Sequence, residues 1–152
     1  MSIQFVMRRI TSTVYGRCLA ESRPQPEFVA VSEGVAADWD VLYRILNGER
    51  PGPAAAAVIK GGVRLKHAPD DYGGVRVLSP KDVADASVDL RALDEEEIER
   101  RYLAYEFTGA HGAHADGRPD SPVEDYLDAF AELRDFCDAT ADAGDAMLVL
   151  LI

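Results

Sequence analysis

The 152-residue chain predicts an α+β domain, with a mixed sheet of short strands packed by about five helices and a central C-terminal strand. Three observations carry this. Short extended runs cluster early, helical periodicities dominate late, and Ala146–Ile152 is a continuous apolar run. A strand apolar on both faces belongs in the middle of a sheet that is covered on two sides.

The elements follow in order. Ile3, Phe5 and Met7 alternate as a strand. Thr11 or Ser12 offers a cap for a short helix whose stripe is Val14, Tyr15, Cys18 and Leu19, ended by Pro24 and Pro26. Residues 28–31 suit a short extended piece. Asp38 starts the next helix, with Trp39, Leu42, Tyr43 and Leu46 as a buried stripe and Gly48 as the stop. Ala56–Lys60 and Val63–Lys66 flank Gly61-Gly62, a spacing that predicts a hairpin. Val75–Leu78 reads as one more strand.

Ser79-Pro80 opens a helix with Ser as the cap and Pro in the first turn. Asp94 with Glu97 resembles a capping box for a helix to about Phe107. Ser121-Pro122 with Glu124 repeats the start signal for a long helix that buries Val123, Tyr126, Leu127, Phe130, Leu133, Phe136 and Cys137 and ends at Gly144. With no linker or repeat between these elements, residues 1–152 read as one domain.

Composition excludes several functions. Residues 1–78 carry 10 Lys/Arg and 8 Asp/Glu, whereas residues 79–152 carry 6 and 19. Such an acidic half repels phosphate backbones, so nucleic acid is not an expected partner. No apolar run is long enough to cross a bilayer, and the first ten residues lack the order of a secretory signal; no membrane partner and a cytoplasmic location are expected. Cys18 and Cys137 have neither metal spacing nor support for a disulfide, and read as core residues.

No phosphate-binding glycine loop, nucleophile elbow or reactive-cysteine context is present, and no cofactor is expected. The segment GAHGAHADGRPDSP, residues 109–122, holds His111 and His114 with Asp116 and Asp120. Its glycines make it a loop, so these histidines, like His67, are weak metal candidates and no metal site is expected. Asp70-Asp71-Tyr72, among glycines beside a strand, is the acidic cluster best placed for function.

Three segments carry a family resemblance: WDVLYRILNG from Trp39, YGGVRVLSPKDV from Tyr72, and YLDAFAELRDFCDATADAGDAMLVLLI from Tyr126. The chain resembles the YfbM-like family of small bacterial proteins of unknown function. The resemblance implies a compact cytoplasmic α+β domain and no assigned reaction, ligand or catalytic residue. Many members have a histidine at the position of Tyr43.

Two functions follow as expectations. The first is a non-enzymatic interaction or regulatory domain whose acidic face, with Glu95, Glu96 and Glu99 on it, meets a basic protein partner. The alternative is a small-molecule-binding protein or enzyme with a pocket near Trp39, Tyr43, Asp71 and Tyr72.

Overall fold

Alternation along the last strand organises the molecule. In the computed structural model, which describes residues 5–32, 38–49, 53–68 and 74–151, β5 (Ala146–Leu151) lies between β1 (Phe5–Ile10) and β4 (Val75–Leu78). The short strands β2 (Ala30–Val31) and β3 (Val63–Arg64) take the two edges, giving the order β2-β1-β5-β4-β3. Phe5 pairs with Leu151, and Val75 with Leu150. Every pairing in this sheet is antiparallel, where a mixed sheet was expected.

Successive residues of β5 serve opposite faces, as the two-residue period of a strand demands. Met147, Val149 and Leu151, with Phe5, Met7 and Leu78, join the larger core built by the helices of one layer. Ala146 and Leu148, with Ile10, Val75 and Val77, join a second core completed by Val14 and Cys18 of α1 (Ser12–Glu21) and by Leu65. The strand is covered on both sides, as its apolar run predicted.

The larger layer contains α2 (Trp39–Asn47), α3 (Ala54–Lys60), α4 (Pro80–Arg91), α5 (Glu95–Ala104) and α6 (Val123–Asp142). With α1 this makes six helices among the described residues, against about five expected. The additional helix is α3, which replaces the first arm of the predicted hairpin. Its four alanines are the strongest helix formers, and they prevail over the β-branched pair Val58-Ile59. Gly62 then turns the chain into β3 with φ +82; a Cβ there would meet the Val77 carbonyl oxygen at 2.5 Å.

Predicted caps are met at four helices. Thr11, Asp38, Ser79 and Asp94 each accept a hydrogen bond from a first-turn backbone N–H through the side chain. At α6 the expected Ser121 cap is absent: Pro122 occupies the cap position and supplies no side-chain bond. Helix α5 stops at Ala104 rather than near Phe107. Leu19 is exposed, because α1 lies on the smaller face and buries a narrower stripe. Trp39, expected to be largely buried, is only partly so; Val41, Leu42, Ile45 and Leu46 form the buried face of α2 instead. Cys18 and Cys137 are both buried and free, in separate cores on opposite faces of the sheet.

Candidate functional site

Polar side chains from three segments converge at the N-terminal end of α2. Asp38 caps the helix, accepting the Asp40 N–H at 2.9 Å through Oδ1. Its other oxygen, Oδ2, lies 2.6 Å from Nδ1 of His111, a residue 73 positions further along. Asp40, in the same turn, bridges two segments. Its Oδ1 accepts from Lys60 Nζ at 2.8 Å, and its Oδ2 accepts the backbone N–H of His111 at 2.9 Å. Two carboxylates two positions apart thus hold the end of α3 and the 107–120 loop.

Aromatic rings complete the cluster. The Lys60 ammonium stands 4.1 Å from the Tyr43 ring centroid and 5.4 Å from that of Trp39, in cation–π range. The Trp39 and His111 rings are stacked at 6.2 Å with 17° between planes. The indole Nε1 is buried and has no hydrogen-bond partner among the described residues.

The electrostatics follow from burial. Burial alone would raise the Asp40 carboxyl, but hydrogen bonds from Lys60 and the His111 N–H together hold it below the usual carboxylate value. The Asp38 carboxylate holds the His111 ring by its Nδ1 edge at 2.6 Å. The His111 side chain is half exposed, and its Nε2 has no partner among the described residues.

Of the residues singled out by sequence, the structure joins Trp39, Tyr43 and His111. His114 pairs instead with Asp120 at 3.0 Å, so each histidine of this loop has its own acid. His67 is exposed at another place, its backbone N–H donating to Ser22 O. Asp71 and Tyr72 lie outside the described residues. Asp38, Asp40 and Lys60 were not read as site residues; their partners are 20 to 73 positions away, beyond any spacing rule.

Two clefts border α2. One of about 200 Å³ is lined by Tyr43, Asn47, Ala56, Ala57 and Lys60. Another of about 450 Å³ lies between the helix C-terminus and residues 104–107, with Arg44, Asn47 and Tyr105 among its walls. A third, shallow cleft of about 660 Å³ at the α4–α5 junction is walled by Leu93, Asp94, Glu96, Glu97 and Arg100.

On α5, Glu97 takes both arginines of the helix. Arg100 donates to it at 3.0 and 2.8 Å, and Arg101 at 2.8 Å. Those hydrogen bonds pull the Glu97 carboxyl down to about 2. Glu95, Glu96 and Glu99 are exposed and form no ion pair among the described residues.

A family model described as a domain of unknown function, DUF1877, matches residues 4–150. The chain belongs to the DUF1877 family. The crystal structure of YfbM from Escherichia coli, itself titled a protein of unknown function, superposes with a TM-score of 0.57. That match covers 98% of this chain and 99% of YfbM at 14% identity, and it shows a shared fold alone. No curated protein matches the chain. The α+β architecture with its central C-terminal strand is therefore that of a DUF1877 domain. No helix among the described residues is long and apolar enough to cross a membrane.

Proposed function

We propose that this DUF1877 domain is a non-enzymatic interaction or regulatory module whose acidic helical half meets a basic protein partner. One observation carries the reading. All six cationic side chains of residues 79–152 are already engaged by carboxylates of the same half: Lys81 by Asp85, Arg91 by Asp138, Arg100 and Arg101 by Glu97, Arg118 by Asp116 and Arg134 by Asp135. Nothing in that half remains to neutralise Glu95, Glu96 and Glu99. Uncompensated charge on a solvent face raises the association rate with an oppositely charged surface. The same reading sets the chain in a bacterial cytoplasm, which its two free thiols and the bacterial source of YfbM support.

The test is kinetic. A native partner should associate more slowly as the Debye length shortens from roughly 30 Å at 0.01 M salt to about 8 Å at 0.15 M. Replacing Glu95, Glu96 and Glu99 by Gln should slow association without lowering Tm. An on-rate indifferent to both changes means that the charge serves solubility instead.

A second reading is favoured by the Asp38–His111 contact. An imidazole anchored by a carboxylate, close to an ammonium and two aromatic rings, is suited to binding a small molecule. A compound that raises Tm in the parent chain but not in His111→Ala would support it.

A further inference from the structure

We propose that the outer face of α5 docks an amphipathic basic helix of a partner protein, which sets an apolar side chain on Leu103 and cations against the glutamates around it. The proposal rests on the acidic-face reading above and assigns the docking element and the form of the partner.

Helix α5 turns little of itself inward: Ile98 is its one buried residue. Leu103, at 74%, is the most exposed large apolar side chain among the described residues. A single exposed leucine is ordinary on a protein surface. This one stands seven positions after Glu96 and four after Glu99, so the three share one stripe of the helix.

Two clefts bracket that stripe. The cleft of about 660 Å³ at the N-terminal end of α5 has Leu93 and Glu96 in its walls; the cleft of about 450 Å³ beyond its C-terminal end has Ala104, Glu49 and Glu106. At roughly 1.5 Å per residue, Glu96 and Ala104 are about 12 Å apart along the axis. A partner helix alongside rises at the same rate, so one stripe of it can send a cation to each cleft and an apolar residue to Leu103. Docked amphipathic helices are held by anchors at this spacing.

Charge names the occupant. Glu49, Glu95, Glu96, Glu99 and Glu106 form no ion pair among the described residues. The neighbouring cations are engaged: Glu97 holds Arg100 and Arg101, and Arg44, in the C-terminal cleft, donates to the Thr108 carbonyl oxygen at 3.0 Å. A second copy of this chain would set the same carboxylates against each other, whereas a basic helix complements them.

The full chain is titrated at low salt into a fluorescein-labelled, alanine-based peptide with lysines one and two turns to either side of a central leucine, and anisotropy is read. Binding should be saturable, should weaken as salt is added, and should shift the amide resonances of α5. Serine in place of the peptide leucine should weaken it at least fivefold, as should Leu103→Ser or the pair Glu96→Gln, Glu99→Gln in the chain. Val88→Ser, at a similarly exposed apolar position on α4, and the pair Glu124→Gln, Asp128→Asn on α6 should leave affinity within twofold. All these positions are exposed, so every variant should keep the parent Tm.

Equal binding of the leucine and serine peptides, or indifference to Leu103→Ser, would overturn the docked helix and leave a purely electrostatic acidic face standing. So would equal binding of the same peptide with a proline beside its leucine, which means an extended occupant. Losses on the α6 substitutions as large as those on α5 would overturn the choice of α5 and keep the acidic half. Silence of every basic peptide at low salt would also overturn the α5 assignment, and the broader reading is then decided by the on-rate of the native partner.

Discussion

Asp38 and Gly112 approach so closely that any side chain at residue 112 would collide with the helix cap: a Cβ there would lie 2.2 Å from Asp38 Cγ and 2.4 Å from Oδ2. Gly109, in the same loop, shares the positive φ (+79 against +83) but has no atom within 4 Å of that position. Left-handed strain alone costs an alanine roughly 1–2 kcal/mol. Gly109→Ala should therefore lose about that much, and Gly112→Ala distinctly more, by denaturant melts. Equal losses would mean that Asp38 yields without cost.

The Asp40 network should show in the acid limb of stability. Its carboxyl is lowered in the folded state, so its contribution is fully present above the unfolded value near 3.8 and is lost as pH falls through the lower folded value. Groups facing it are Lys60, the His111 N–H and, through space, Arg44. Lys60→Met leaves a mostly buried carboxylate short of one donor and should cost about 1–3 kcal/mol at pH 7. The loss should shrink on acidification to pH 3. A pH-independent loss would show that the contact is packing alone.

Legibility in the sequence followed the range of each interaction. The α4 cap is read directly from Ser79-Pro80, and that of α5 from Asp94 with Glu97, because donor and acceptor lie within one turn. The place of β5 was legible because burial on both faces leaves an unbroken apolar run. The identity of α3 was not, since Val58-Ile59-Lys60 before a glycine pair suits strand and helix alike, and only packing against α2 and α4 decides. Nor was the site. Asp38 reads as a cap and Lys60 as the end of a hairpin arm, and the fold alone brings them to His111 and Asp40.

Deleting residues 149–152 removes Val149 and Leu151 from the larger core and the ladder partners of Phe5, Met7 and Val75. Burial of such side chains is worth roughly 1.5–3 kcal/mol each, against a total stability of about 5–15 kcal/mol. The truncated chain should be insoluble or lack a cooperative melt by circular dichroism. A melt near that of the parent would contradict the central role of β5.

Both thiols should resist 5,5′-dithiobis(2-nitrobenzoate) in the native protein. Burial raises Cys18, and burial followed by the charge of Asp138 pushes Cys137 up to about 12, so little reactive thiolate forms at pH 8. Two equivalents should react once guanidinium unfolds the chain. Rapid labelling under native conditions would reveal frequent opening of one core.

The position of β5 also constrains how the fold arises. It bonds to β1, the first element of the chain, and to β4, while β1 and β4 do not bond to each other. During synthesis the two halves of the sheet therefore remain separate until residues 146–151 have left the ribosome. Until then Phe5, Met7 and Val77 lack the strand that would shield them, and the growing chain depends on local helices or on chaperones to keep those surfaces apart. Closure joins residues almost a full chain length apart, so its rate should be set by the search for that contact rather than by helix formation.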